Sequence, residues 1–152
     1  MHPVAVLAGG LGTRLREVTG DDLPKVMMPV AGRPFIDHKL RELRDEGARD
    51  VLLLLGHGAA RVRDHVGDGT SHGLRVEYED DGDALLGTGG ALLRALPRLG
   101  ERFWVTYGDT LLQVDVARAE AAFDASDALG LMTVLHNRDR WQPSNVVARD
   151  GY

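Results

Sequence analysis

The chain predicts an α/β fold, a three-layer sandwich with a mostly parallel central sheet. Three observations lead there. Short apolar runs recur along the sequence, too short for helices and bounded by Gly, Asp or Pro. Stretches with helical spacing lie between them. The runs are continuous rather than alternating, as burial on both faces of a parallel sheet requires. Strand and helix in alternation then stack helices against both sides of the sheet.

Taken in order, Val4–Ala8 is the first strand. Leu11–Val30 follows as a long loop with little regular pattern, and a loop of that length inside a compact domain is usually functional. A helix begins near Pro34, a residue suited to the first helical position. Ile36, Leu40 and Leu43 form its apolar stripe, and Gly47 stands where a C-terminal cap belongs. Val51–Leu55 is the second strand and Ala59–Val66 a short helix. Arg75–Glu79 alternates, so it reads as a strand with one wetter side. A helix follows Thr88, with Leu92, Leu93 and Leu96 on one side. Phe103–Tyr107 is a strand, Val116–Phe123 a helix, and Leu129–Leu135 a last buried strand. No internal repeat, low-complexity tract or linker interrupts the series, so residues 1–152 read as one domain.

Bulk properties narrow the function. A chain of 152 residues buries roughly 68–70% of its unfolded surface, enough for a core without staples. With 18 Lys and Arg against 23 Asp and Glu, the net charge is -5. That disfavours nucleic acid or an anionic membrane as the main partner, though a few placed cations still hold a small phosphorylated ligand. The absence of cysteine removes disulfides, thiolate nucleophiles and Cys-ligated zinc. The apolar run at the N-terminus is too short for a signal peptide, and no stretch is long enough to cross a bilayer. The expected location is the cytoplasm.

Chemistry-bearing residues cluster after the first strand, in Leu7-Ala8-Gly9-Gly10-Leu11-Gly12-Thr13-Arg14-Leu15. Three glycines in four positions let the backbone approach a ligand and turn N–H groups toward one anion. The planar fork of Arg14 then suits two phosphate oxygens. No Gly-Lys-Ser/Thr follows, so this is not a Walker A loop, and Leu15 spoils a dinucleotide fingerprint. Read from the glycines alone, a plain tight turn serves as well. Pro24 fixes the backbone ahead of Lys25, which is either a solvated loop residue or a second phosphate cation. Asp109 ends a strand at the edge where open α/β sheets bind ligands. It is either a turn cap or a hard oxygen donor suited to Mg²⁺.

Three longer segments go together: Leu7 to Leu15 with Pro24-Lys25 and Met28-Pro29-Val30-Ala31-Gly32-Arg33-Pro34-Phe35; Leu86-Gly87-Thr88-Gly89-Gly90-Ala91; and Tyr107-Gly108-Asp109. They resemble the signature of the sugar-1-phosphate nucleotidyltransferases, and the likeness spans essentially the whole chain. The resemblance implies a Rossmann-like, nucleotidyltransferase-type fold, of which this chain is the N-terminal, nucleotide-binding portion. It also implies a reaction in which a sugar 1-phosphate displaces pyrophosphate from a nucleoside triphosphate. By position, Leu7, Ala8, Gly9, Gly10, Leu11, Gly12, Thr13, Arg14, Gly87 and Thr88 would hold the nucleotide. Arg14 would take the β- and γ-phosphates, Lys25 the α-phosphate, and Asp109 Mg²⁺. Gly89, Gly108 and Asn145 would face the sugar. A homo-oligomer stays open.

Leu-Gly-Thr-Gly-Gly resembles the D-glycero-D-manno-heptose 1-phosphate guanylyltransferase branch. The absence of a Gln ahead of it argues against thymidylyl or uridylyl transfer, leaving GTP with heptose or mannose 1-phosphate. The product would feed polysaccharide or glycoconjugate synthesis. There are departures. Leu85 stands where the family commonly has Pro, and Ser144 replaces a glycine in Trp141-Gln142-Pro143-Ser144-Asn145-Val146-Val147. The family domain also continues beyond Tyr152 with a second metal-binding Asp and part of the sugar pocket, so a C-terminally truncated domain is expected. Glu79, Asp80, Asp81 and Asp83 read as a solvated acidic loop without EF-hand spacing. His57-Gly58 reads as a surface turn, and the six histidines lack metal-ligand spacing. A non-catalytic nucleotide- or sugar-nucleotide-binding module, and a thymidylyl- or uridylyl-transferring member of the same family, are the alternative readings.

Overall fold

The computed structural model describes residues 1–10, 23–82, 86–138, 140, 143 and 146–147. Two compact units divide the chain, Met1–Leu112 and Gln113–Tyr152. The first unit carries strands β1 (Val4–Leu7), β2 (Pro29–Val30), β3 (Arg33–Pro34), β4 (Asp50–Leu55), β5 (Arg75–Asp80) and β6 (Trp104–Tyr107). Its helices are α1 (Phe35–Asp45), α2 (Ala59–Val66) and α3 (Gly87–Leu99), with 3-10 turns at Lys25–Met27 and Thr70–His72. The second unit carries α4 (Val116–Asp124), whose first turn is capped by the Asp115 side chain accepting from Arg118 N at 3.0 Å.

Four strands form one sheet in the order β5-β4-β1-β6. All its pairs are parallel: Val4 stands opposite Val51 on one side and Trp104 on the other, and Asp50 opposite Arg75. The fold is the expected α/β sandwich. Residue parity along each strand sorts the core into two layers. Val4, Val6, Val51, Leu53, Leu55 and Val76 meet Ile36, Leu40 and Leu43 of α1 and Val62 and Val66 of α2. Ala5, Leu52 and Leu54 meet Ala91, Ala95 and Leu99 of α3. Small residues face each other there, which lets α3 lie close on the central strand.

Local chemistry sets the boundaries. Pro34 stands at the N-cap position of α1, one residue before the helix and without a side-chain cap, and α1 ends in a Schellman turn: Gly47 takes φ +95°, Ala48 N donates to Leu43 O, and Gly47 N donates to Arg44 O, both at 2.9 Å. β2 and β3 form a two-stranded antiparallel ribbon whose turn residues, Ala31 and Gly32, both have positive φ, the geometry that matches strand twist. The short helix and its neighbour α1 sit where the spacing puts them, as does β5 with Val76 buried.

Three expectations need correction. Leu129–Leu135 forms no strand; Met132 is 69% exposed and Leu135 73%. Apolar side chains favour burial, but a strand needs a hydrogen-bonding neighbour, and none of the described residues pairs with this run. The buried face of α3 is Ala91, Ala95 and Leu99; Leu92 packs partly against them, while Leu93 is 70% exposed and Leu96 also points out. A helix pressed close to a sheet buries its small residues and turns its large ones aside. The acidic residues at 79–81 are not a solvated loop. Glu79 and Asp80 finish β5, and Asp81 is 9% exposed.

Candidate active site

The site is built where the four parallel strands end. The hydrogen-bond ladder runs one residue past each strand: Ala8 N donates to Leu54 O, Gly108 N to Leu7 O and Asp81 N to Leu55 O, each at 2.9 Å. Ala8, Gly108 and Asp81 are thereby fixed side by side at the carboxyl edge of the sheet, the usual ligand edge of open α/β folds. A cavity of about 440 Å³ opens there, lined among others by Leu7, Ala8, Gly9, Gly10, Lys25, Asp81, Gly87, Thr88 and Asp109, the size of a small-ligand pocket.

Close packing explains several glycines. A Cβ on Gly56 would lie 2.6 Å from Gly9 O, and one on Gly108 would lie 3.0 Å from Val26 and 3.1 Å from Ala8. These positions hold β1, β4 and β6 together at the cavity floor. Gly10, Gly87 and Gly89 have open space where a Cβ would be. Gly87 to Gly90, expected as a loop, form the first turn of α3, so this segment offers the free N–H groups of a helix start. Pro24 packs over Gly58, where a Cβ would stand 2.5 Å from Pro24 Cγ, and that contact fixes the approach of Lys25. The neighbouring His57 is an exposed turn residue, as read from the sequence.

Lys25 Nζ donates to Asp109 Oδ2 at 2.5 Å, and Thr110 Oγ1 donates to Asp109 Oδ1 at 3.1 Å. Burial by itself would raise the Asp109 carboxyl; the bond and charge of Lys25, helped by Thr110, outweigh it and hold the group below its ordinary value. The structure thus brings Leu7, Ala8, Gly9, Gly10, Lys25, Gly87, Thr88 and Asp109 around one cavity. Gly108 lies beside it, packed on Val26 and Ala8, and Gly89 is one turn into α3. Leu11, Gly12, Thr13, Arg14 and Asn145 lie outside the described residues.

Two charged side chains were not placed at the cavity or in the core from the sequence. Asp81 lines the cavity. Lys39 is 1% exposed in α1 and donates to Glu42 Oε2 at 2.6 Å, while Glu42 Oε1 accepts from Leu112 N at 2.6 Å. This part-buried pair ties α1 to the segment that follows Asp109.

The sequence profile of the nucleotidyl transferase family matches residues 4–145. Bifunctional protein GlmU of Azotobacter vinelandii is 37% identical over 134 residues, 86% of this chain and 27% of that protein. N-acetylmuramate alpha-1-phosphate uridylyltransferase of Neisseria meningitidis is 34% identical over 125 residues, 82% of this chain and 52% of its own length. D-glycero-alpha-D-manno-heptose 1-phosphate guanylyltransferase of Campylobacter jejuni is 28% identical over 145 residues, covering 95% and 63%. The crystal structure of HddC from Yersinia pseudotuberculosis, also solved in complex with GMP-PN, superposes with a TM-score of 0.74 at 34% identity, covering 84% of this chain and 56% of that one. The chain spans between about a quarter and two thirds of the length of these proteins. A family match over nearly the whole sequence, together with a parallel sheet that gathers the signature residues at its carboxyl edge, shows that the chain belongs to the nucleotidyl transferase family.

Proposed function

We propose that this chain transfers a guanylyl group from GTP to a manno-configured sugar 1-phosphate, heptose or mannose 1-phosphate, and releases pyrophosphate. The observation that carries the reading is the Lys25–Asp109 pair at 2.5 Å, facing a cavity walled by Gly9 and Gly10 at the carboxyl edge of the sheet. A cation and a carboxylate side by side are what phosphoryl-type transfer asks of a protein, since the reaction needs positioning and charge stabilisation more than a nucleophile. The heptose guanylyltransferase among the relatives and the GMP-PN complex of the structural neighbour favour guanine.

In this reaction a phosphate oxygen of the sugar 1-phosphate bonds to the α-phosphorus, the bond from the α-phosphorus to the bridging oxygen breaks, and pyrophosphate leaves with that electron pair. Lys25 offsets the charge growing on the α-phosphate. Arg14 holds the β- and γ-oxygens that become pyrophosphate. The N–H groups of Gly9 and Gly10, and those opening α3 at Gly87 and Thr88, orient the nucleotide. Gly89, Gly108 and Asn145 face the sugar. Asp109, a hard carboxylate lining the cavity, would be the residue to hold Mg²⁺, which commonly takes one or two carboxylates plus substrate oxygens. When bound, the ion neutralises phosphate charge.

The test is pyrophosphate release with Mg²⁺, crossing GTP, dTTP, UTP and CTP with heptose, mannose and glucose 1-phosphates. Release with GTP and a manno-configured acceptor is expected. Release with UTP instead would establish the second reading, uridylyl transfer, which the 34% identity to a uridylyltransferase favours. Thermal protection by nucleotide without pyrophosphate from any pair would make the chain a binding module.

A further inference from the structure

We propose that Glu42 is a positioning residue: through its bond to Leu112 N it sets where the chain that bears Asp109 stands at the cavity. The inference rests on the reading of Lys25 and Asp109 as the transfer pair. It adds a group in α1, outside the cavity lining, that keeps this pair in place.

The chain that carries Asp109 is fixed at its start by the sheet. Gly108 N donates to Leu7 O at 2.9 Å, which is the last rung of the β1–β6 ladder. Regular structure resumes only at Val116. Among the described residues, no N–H from Thr110 to Leu112 donates to a backbone carbonyl. Packing holds the segment little, since Leu111 is 49% exposed and Leu112 44%. The bond that does hold it is Leu112 N donating to Glu42 Oε1 at 2.6 Å. Asp109, Thr110 and Leu111 are thus strung between two fixed points, and from that span Asp109 meets Lys25 Nζ at 2.5 Å.

A carboxylate free to rotate on a helix surface would be a poor anchor, because holding it in one rotamer costs entropy. Glu42 has already lost that freedom. Its other oxygen accepts from Lys39 Nζ at 2.6 Å, and Lys39 is 1% exposed. Replacing a buried ion pair by apolar residues of similar volume is often neutral or stabilising, so stability alone gives little reason for this one. Geometry gives a reason. Lys39 stands with Ile36, Leu40 and Leu43 on the buried stripe of α1, so it fastens the Glu42 carboxylate to the core and leaves one oxygen to reach Leu112. Hydrogen bonds to an ionised acceptor are short and strong. The carboxylate therefore links a core helix to the turn that presents Asp109, and a misplacement of about 1 Å at a reacting centre can cost about a hundred-fold in rate.

Steady-state pyrophosphate release tests this, with the substrate pair that wild type uses. Lys39→Met with Glu42→Met removes the anchor and strands no charge. Lys39→Met with Glu42→Gln keeps a carbonyl oxygen for Leu112. Leu112→Pro removes the donor itself and leaves Lys39 and Glu42 paired. The Met/Met variant should lose about ten-fold or more in kcat with nucleotide KM within about two-fold of wild type. The Met/Gln variant should return kcat to within about three-fold of wild type. A purely structural pair would show neither the split between kcat and KM nor the rescue by Gln. Leu112→Pro, at an exposed position, should lose kcat as the Met/Met variant does, and it decides the matter if that variant does not fold. Wild-type kcat in Leu112→Pro or in the Met/Met variant, or equal losses in the two double variants, overturns the positioning role and leaves the transfer reading standing. No pyrophosphate from wild type with any substrate pair overturns the transfer reading and this inference with it.

Discussion

Replacing Lys39 by Met should destabilise the fold by about 3 kcal/mol, and adding Glu42→Gln to the same chain should return about 2 kcal/mol of it. Lys39 is 1% exposed and its ammonium lies 2.6 Å from Glu42 Oε2. Removing one partner of a buried pair costs about 3–5 kcal/mol because the other charge stays behind unanswered. The low end applies here, since the Glu42 side chain keeps 17% exposure and the Leu112 N–H. In the double variant no charge is stranded. Met occupies the volume of the Lys stem, and the Gln carbonyl still accepts from Leu112, so the net loss falls to about 1 kcal/mol. Urea denaturation of the wild type, both single variants and the double variant gives the coupling directly. A Lys39→Met loss under about 1 kcal/mol, or a double variant no more stable than the single, would refute the reasoning.

Lys25→Ala should lower turnover about a hundred-fold with little change in nucleotide KM, read by steady-state pyrophosphate release. The same change leaves burial, the largest influence on Asp109, opposed only by weaker bonds, so NMR titration should find that carboxyl moved upward. In wild type the folded value lies below the unfolded 3.8; the pair's contribution is complete above that value and is lost only as pH falls through the depressed one. Glu46 behaves oppositely: burial, with Glu42 beside it, raises its carboxyl above 4.5, so the folded chain binds more protons and stability falls as pH rises through that window. Glu46→Gln should therefore raise Tm at pH 7, with the gain vanishing toward pH 4. Gly56→Ala puts a methyl 2.6 Å from Gly9 O and should cost about 2 kcal/mol by denaturant. Gly10→Ala meets open space and should change stability by under about 0.5 kcal/mol while weakening nucleotide binding in the same titration.

Most of the scaffold is legible in the sequence because burial on both faces leaves a one-dimensional trace. Val4–Leu7 and Asp50–Leu55 are nearly unbroken apolar runs, and the Gly47 cap and the α1 stripe follow simple spacing. What is lost depends on partners. The run at 129–135 has strand-like side chains, but whether a neighbouring ladder exists is not written in it. Leucine weight misassigns the face of α3, since its buried positions 91, 95 and 99 are filled by Ala, Ala and Leu to match Ala5 below them. Lys39 falls on the same stripe as Ile36, Leu40 and Leu43, and its spacing was the available signal that this lysine is buried. Asp81 is separable from Asp80 by pleat parity, but from Glu79 only by lying one residue past the end of β5, which requires knowing that β5 pairs with β4 through Asp80.

The signature glycines divide into two kinds that the sequence writes identically. Gly9, Gly56 and Gly108 are consumed by the protein itself: each brings one strand end against the next, and the floor of the cavity exists because no side chain keeps them apart. A Cβ on Gly10 or Gly89 would meet open space, which leaves room for an incoming group, while Gly87 answers to its own backbone, held at φ +66°. Charge follows the same division of labour. Arg63 and Arg98 are spent on the acids of β5, and Lys39 on Glu42. At the cavity, Lys25 and Asp109 answer each other. The proposed nucleotide would bring negative oxygens to this lysine, so the pair set at the cavity is the pair that the proposed transfer would use.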